Sequence, residues 1–205
     1  QLKLGIIAIF FYVGIEVGIP SKLLFYLSEP LSKGGILGSA VVGGLISGFY
    51  WLLMLVGRFV SAFISGKVSS RIQLTTTSVV AISLLLVAIF MPETSKMNLI
   101  IPDITHWKLI DAEVPTNVVF IVLCGLCTSV MWGVIYNLAT EGLGRYTASA
   151  SGLFMTMVFG GGVMPLIQDL IATKIGDINS YWLVVAMLSY LLFYALVGSR
   201  QSKNN

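Results

Sequence analysis

Six apolar runs, each long enough to cross a lipid bilayer as a helix of about 20 residues, constrain the fold of this chain most strongly. Backbone polar groups in lipid must be paired within the protein, and no strand-length alternation stands out, so helices are expected throughout. Hydrophobic residues make up 57% of the chain and charged residues only 10%, which is too little charge to cover a soluble domain of 205 residues. The sequence therefore predicts an all-α integral membrane protein with transmembrane helices at about 3–28, 36–65, 74–91, 117–140, 148–172 and 181–197.

The distribution of lysine and arginine over the connections predicts the orientation of these helices. With a cytoplasmic amino terminus, the inner side holds Lys3, Arg58, Lys67, Arg71, Arg145, Arg200 and Lys203. The outer side then holds Lys22, Lys33, Lys96, Lys108 and Lys174. This modest bias predicts cytoplasmic amino and carboxy termini in a multi-pass protein of the cell (inner) membrane, and a long extracytoplasmic loop at 92–116.

Glycine content separates the predicted helices into two kinds. The first, second, fourth and fifth contain three, five, two and four glycines, whereas the third and sixth contain none. Small residues allow helix backbones to approach closely, so the four glycine-rich helices are expected to be inner and the third and sixth outer. The order inner, inner, outer then occurs twice along the chain. A repeat of three helices reverses direction in the membrane, which predicts one lobe over 1–205 made of two inverted three-helix repeats. Chance variation in glycine content is the alternative.

Other classes of function have little support in this sequence. The net charge of +3 forms no basic stripe with interleaved aromatic residues, which argues against nucleic-acid binding. Cys124 and Cys127 have the spacing of a redox or metal motif, but they lie in an apolar run without a second ligand pair and are expected to be buried packing residues. With His106 as the single histidine, no catalytic or metal constellation is apparent. We expect no enzyme, no cofactor and no metal.

Glu16 is the leading candidate for a functional residue because it lies near the middle of the first predicted helix. An ionisable group at that depth faces a cavity or a partner. Tyr12 lies one turn away on the same face, and Gly14 and Gly18 flank the acid, which allows a substrate or another backbone to come close. Glu16 is interpreted as a hydrogen-bond acceptor for sugar hydroxyls or as a proton carrier. A buried structural carboxyl is the alternative.

Further substrate or proton candidates come from aromatic and polar residues on the second and fourth helices. Tyr50 and Trp51 lie near mid-membrane, where aromatic faces can stack on sugar rings, although ordinary packing is the better expectation for any single ring. Ser129 shares one face of the fourth helix with Asn137, and Trp132 lies beside that face. Asn137 is close enough to the predicted cytoplasmic end for a structural hydrogen bond to be equally reasonable.

Charged residues at the predicted cytoplasmic ends are candidates for a gate. Arg58 lies near the end of the second helix and Arg71 follows it, while Glu141 and Arg145 follow the fourth helix. An acid and several cations in one region predict an interhelical ion pair that forms in one state and breaks in another, here between Glu141 and Arg58 or Arg71. Positive-inside anchoring explains part of this pattern.

With these residues in view, the chain resembles the fucose and glucose/galactose permease branch of the major facilitator superfamily. The resemblance rests on Phe11 to Gly18, on Tyr50-Trp51 with Gly57-Arg58-Phe59, on Asn137 to Gly144, and on Ser151-Gly152-Leu153 followed by Gly160 to Gln168. Together these cover most of the chain in the right order. Lys22, Gly133 and Asp169 depart from the family pattern, and the segment from Pro92 to Thr116 is longer than its usual outer loop.

The resemblance implies the carboxy-terminal half of a twelve-helix sugar transporter, with a missing amino-terminal six-helix lobe as its partner. It implies proton-coupled uptake of a hexose-type sugar by alternating access, and it adds Gln168 to the substrate candidates. The chain also begins without methionine, a start that either processing or truncation would produce, and a fragment is therefore expected. A self-contained six-helix protein acting as a homodimeric carrier or channel is the alternative.

Overall fold

The computed structural model describes residues 1–29, 40–64, 66–92, 94–103 and 108–199. Parts of the predicted elements at 36–39, 65, 93 and 104–107 lie outside this range, as do Lys33, His106, Arg200 and Lys203. The helices are α1 (Leu2–Ser28), α2 (Ala40–Ile64), α3 (Ser70–Phe90), α4 (Thr116–Thr128), α5 (Met131–Thr140), α6 (Thr147–Thr156), α7 (Gly160–Ile175) and α8 (Trp182–Phe193). Two strands, β1 (Lys96–Asp103) and β2 (Lys108–Pro115), lie between α3 and α4.

Among the described residues, six helical segments are long and apolar enough to cross a membrane. Helices α4 and α5 together form the fourth of these spans, and α6 and α7 form the fifth. The sixth consists of α8 with the 3₁₀ turn Asn179–Tyr181 before it and the π-helical stretch Tyr194–Gly198 after it. The expected all-helical membrane class is therefore confirmed, while the inverted three-helix repeat stays a prediction.

Local sequence features account for several ends and breaks of these helices. Ser69 caps the start of α3 by accepting a hydrogen bond from the Ile72 amide at 3.4 Å. Gly176, at a φ of 90°, ends α7 in a conformation that favours glycine. Pro20 lies inside α1 and Pro165 inside α7, and each removes one backbone hydrogen bond from its helix.

A β-hairpin occupies much of the 92–116 segment, where the sequence indicated only a loop and no strands. In this antiparallel pair, Met97 lies opposite Val114 and Leu99 opposite Ala112. Val114 and Ala112 are buried, whereas the alternate residue Asp111 is exposed. This period of two over eight residues is a weak signal beside apolar runs long enough to cross a bilayer. Strands with unpaired edges are excluded only where those edges meet lipid. A two-stranded hairpin is therefore possible in a connection between spans.

Close contacts at glycine hold α1 and α7 together in a parallel pair. A Cβ at Gly160 would meet the Phe10 carbonyl oxygen well inside van der Waals contact, and one at Gly14 would lie 2.6 Å from the Met164 Cβ. A Cβ at Gly18 would lie 2.9 Å from Oε1 of Gln168. These contacts recur every four residues on both helices, so they share one face of each. The Gly160 region is accordingly a site of close packing.

Not all glycines serve helix packing within this lobe. A Cβ at Gly44, Gly48, Gly133, Gly152 or Gly162 would meet nothing within 4 Å. The glycine-rich fifth span is also the least buried, at 22% of its most apolar window, against 44% for the glycine-poor sixth. Glycine content therefore does not separate inner from outer spans by burial here, because several glycines lie on open faces.

Candidate functional site

A cavity of about 380 Å³ lies between the first, second and fourth spans. This volume is within the range of small-molecule sites. Four of the predicted substrate residues line it together with one predicted gate residue, although they come from distant parts of the chain. The lining residues are Tyr12, Glu16, Arg58, Ser61, Ser129, Val130, Trp132 and Gly133.

Glu16 and Arg58 form an ion pair at this cavity. The Arg58 Nη2 atom donates to Oε1 of Glu16 at 3.3 Å. The Glu16 side chain is 16% exposed and the Arg58 side chain 56%, so the acid lies deeper and the guanidinium is open to the cavity. An acid near the middle of a 27-residue apolar helix needs such a partner, because an isolated charge is costly in the membrane. Because a carboxylate can accept several hydrogen bonds, this contact with Arg58 leaves acceptor capacity for a ligand.

Two aromatic side chains form part of the cavity wall. The rings of Tyr12 and Trp132 have centroids 6.0 Å apart and an interplanar angle of 59°. Tyr12 is fully buried, whereas Trp132 is half-buried. Ser129 and Ser61 contribute hydroxyl groups to the same cavity. The site thus combines a carboxylate, a guanidinium, hydroxyls and aromatic faces, a mixture that suits a neutral polyhydroxylated ligand.

The glycines beside Glu16 have one of the two roles expected of them, the close approach of another helix. Gly14 and Gly18 make room for Met164 and Gln168 of α7, not for a substrate. They therefore position α1 against α7 on the side of the helix facing away from the cavity.

The remaining substrate candidates lie outside this cavity. Tyr50 is fully buried, pairs with the Thr128 hydroxyl at 2.9 Å and packs against Gly125. Trp51 is 46% exposed, and its ring forms a T-shaped pair with that of Tyr50. Asn137 is exposed near the end of α5, and Gln168 is buried with its Nε2 atom 3.4 Å from the Ser180 hydroxyl. The geometry favours a packing role for Tyr50 and Gln168.

The predicted ion pair of Glu141 with Arg58 or Arg71 is wrong for this structure. Within the part of the chain that is described, Arg58 pairs with Glu16 and no ion pair joins Glu141 to either arginine. Arg71, Asn137 and Glu141 do line one polar cavity of about 500 Å³. Arg58 lies on the face of α2 turned toward α1, which carries Glu16. An unpaired carboxylate costs more free energy at the depth of Glu16 than at the helix end where Glu141 lies, so Glu16 is the partner of Arg58.

Arg145, the fourth predicted gate residue, contacts its own neighbour. Its guanidinium carbon lies 5.0 Å from the centroid of the Tyr146 ring, and Nη2 donates to the Tyr146 hydroxyl at 2.9 Å. Both residues are exposed. Cys124 and Cys127 are buried free thiols, as expected of packing residues.

A cluster around Lys22 was not predicted. The Lys22 ammonium lies 2.8 Å from Oδ1 of Asp169 and 2.6 Å from Oδ1 of Asp177, and only 10% of its side chain is exposed. Two of these three residues are positions that depart from the family pattern. That signal was available in the sequence, but residues 147 and 155 positions apart cannot be paired by helical spacing alone.

Polar side chains that converge on a cavity inside six membrane-crossing helices are typical of the lobes of membrane transporters. Structural comparison finds the same fold in part of a solved transporter of the major facilitator superfamily. The crystal structure of the transporter FucP in the outward conformation aligns with 98% of this chain at a TM-score of 0.78 and 17% sequence identity. The alignment covers 42% of FucP, and at this identity it concerns the fold alone.

Sequence comparison confirms the expected resemblance to the fucose and glucose/galactose permease branch. The glucose/galactose transporter of Brucella abortus biovar 1 is 30% identical over 200 residues, which are 98% of this chain and 43% of that protein. The L-fucose-proton symporter of Escherichia coli is 21% identical over 203 residues and is covered to 40%. No family model matches the chain. These relatives are transporters and not enzymes, and the chain spans less than half of their length.

Proposed function

We propose that this chain is the carboxy-terminal lobe of a twelve-helix sugar transporter that works by alternating access. The observation that carries the proposal is the Glu16–Arg58 pair in a cavity shared with Tyr12, Ser129 and Trp132. A second six-helix lobe would cover the open side of this cavity. The similarity to glucose/galactose transporters over nearly the whole chain supports a hexose as the substrate.

The chemistry of the cavity matches that of a hexose. The Glu16 carboxylate can accept hydrogen bonds from sugar hydroxyls, and the Arg58 guanidinium can donate to them. The Trp132 ring offers a flat apolar surface for the C–H face of the sugar ring. Ser129 can both donate and accept, which suits a ligand with many hydroxyls.

Proton coupling is part of this proposal and depends on Glu16. This acid is the ionisable carboxyl of the cavity, and it changes from acceptor to donor when it binds a proton. One of the relatives, the L-fucose-proton symporter of Escherichia coli, supports this coupling. A proton-carrying residue in the other lobe would serve the same purpose.

Sugar uptake by the complete transporter in proteoliposomes tests this function. We expect uptake of labelled glucose or galactose to exceed that of empty liposomes, and unlabelled hexose to compete while an uncharged polyol such as mannitol does not. An inward proton gradient should accelerate uptake, and a protonophore should abolish that acceleration. Absence of uptake for glucose, galactose and fucose alike would contradict the proposal.

The proposed orientation places both termini in the cytoplasm and the β-hairpin outside. In a variant without Cys124 and Cys127, a cysteine introduced at the exposed Asp111 of β2 should react with an impermeant maleimide in intact cells. A cysteine introduced at the exposed Lys67 should react only after the membrane is permeabilised. The opposite pattern would reverse the topology.

A further inference from the structure

The C-terminal segment of α1, residues 21–28, follows a break in the backbone bonding of that helix. Pro20 has no N–H group, so the Glu16 carbonyl loses the bond that a continuous helix would give it. The helix is therefore weakened between Glu16, which lines the cavity, and Lys22, which lies six residues or about 9 Å further along. A bend at this point would change the position of one part of α1 relative to the other.

Ionic contacts hold this segment in place beyond the break. Lys22 bridges Asp169 of α7 and Asp177, which follows the glycine that ends α7. Just before the break, the Tyr181 hydroxyl donates to the Ile19 carbonyl at 3.1 Å. Lys22 thus connects α1 to α7 and to the turn before the sixth span with two directional contacts.

Apolar packing alone would fix this segment less firmly. Leu23 and Leu27 are fully buried against the rest of the lobe. In a bilayer, however, lipid chains offer contacts as apolar as these leucines provide, so such packing gives little preference for one helix direction. Lipid chains cannot replace charged contacts. If Lys22 leaves its two carboxylate partners, its ammonium group must be hydrated, because an unpaired charge in the membrane is costly.

We propose that Lys22, Asp169 and Asp177 form a latch that fixes the C-terminal segment of α1 beyond Pro20, and that Lys22 is thereby a positioning residue for the cavity at Glu16. The effect on transport rests on the proposed function, whereas the effect on helix position does not. The two acids are not equivalent. Asp177 lies closer to Lys22 and is 27% exposed against 63% for Asp169, so it is the stronger partner.

Distances between spin labels test the latch in the complete protein. In a background with Cys124→Ala and Cys127→Ala, one label pair joins Phe25 of α1 to Thr173 of α7, both exposed. A second pair, Ile7 of α1 and Met155 of α6, reports on the other end of the lobe. The combined variant Lys22→Met, Asp169→Asn and Asp177→Asn removes all three charges without leaving one unpaired. Lys3→Met is the matched control, because Lys3 is an exposed lysine of α1 with no ion pair in the described structure.

We expect the combined variant to broaden the 25–173 distance distribution and to leave the 7–155 distribution unchanged. Lys3→Met should change neither. Asp177→Asn alone should broaden the first distribution more than Asp169→Asn alone, which provides a test if the combined variant does not fold. An unchanged 25–173 distribution would overturn the latch, and equal broadening of both pairs would show general loosening instead.

Transport kinetics separate positioning from simple stability. If the latch positions the cavity, the combined variant should raise the KM for the sugar several-fold at an unchanged amount of folded transporter. A purely structural cluster would instead lower the amount of folded protein and leave KM as it is. If the unaltered transporter moves no sugar at all, the proposed function fails, while the label distances still decide the latch.

Discussion

Replacement of Glu16 by glutamine is expected to reduce sugar uptake roughly ten- to a hundredfold while leaving the amount of transporter in the membrane unchanged. The carboxylate accepts from Arg58 at 3.3 Å and has acceptor capacity left for a ligand. Hydrogen bonds to a charged group contribute about 1.5–3 kcal/mol, which corresponds to this loss when the charge is removed. Glutamine preserves the size of the side chain, so the packing of α1 should be retained.

Uptake at several proton gradients measures this effect and tests the role of Glu16 as a proton carrier. If Glu16 carries the coupled proton, the remaining uptake in Glu16→Gln should no longer respond to the gradient. Glu29→Gln is the matched control, since Glu29 follows the same helix at its exposed end and lies outside the cavity. Uptake by Glu16→Gln equal to that of the unaltered protein, with the same gradient response, would make Glu16 a structural residue.

Arg58→Gln provides an independent check of the ion pair. It leaves Glu16 without its cation at mid-span, so we expect it to impair folding or uptake more than Glu16→Gln does. In the double variant the neutral glutamines leave no unpaired charge. Its folded amount should therefore exceed that of Arg58→Gln alone, which is the expected sign of coupling between the two residues.

The second large effect is expected for stability, from Gly160→Ala in α7. A methyl group there would enter the space of the Phe10 carbonyl oxygen, which is backbone and cannot rotate away. Overpacking of this kind costs about 1–3 kcal/mol or more, so the thermal midpoint of the purified transporter should fall by several degrees. Since the contact joins α1 to α7, the parallel pair that carries Glu16 should separate first.

Gly162→Ala is the control for this substitution because it lies on the same helix two residues away. A Cβ at Gly162 would meet no atom of the lobe within 4 Å. The thermal midpoint of Gly162→Ala should therefore stay the same, or rise slightly because alanine has the higher helix propensity. Equal losses for the two variants would show that glycine flexibility in this stretch matters more than the contact with Phe10. An unchanged midpoint for Gly160→Ala would contradict the close packing of α1 with α7.

Hydropathy alone was enough to predict the six membrane spans, because crossing a bilayer imposes a length and an apolar composition that few other structures need. It could not predict the β-hairpin, since a period of two over eight residues is a weak signal beside spans of 20 residues or more. From its depth, Glu16 was expected to face a cavity or a partner, and its position beside Tyr12 followed from helical spacing.

Which residues meet across helices was decided only by the tertiary structure. Helical spacing relates residues three or four positions apart, whereas Arg58 reaches Glu16 over 42 positions and Lys22 reaches Asp169 over 147. Arg58 was therefore assigned to Glu141 on the basis of a shared helix end, and Lys22 was left without a partner. The same limit applies to glycine: Gly160 and Gly162 look alike in the sequence, but α1 lies against only the first, because rotation of α7 about its axis is set by its neighbours.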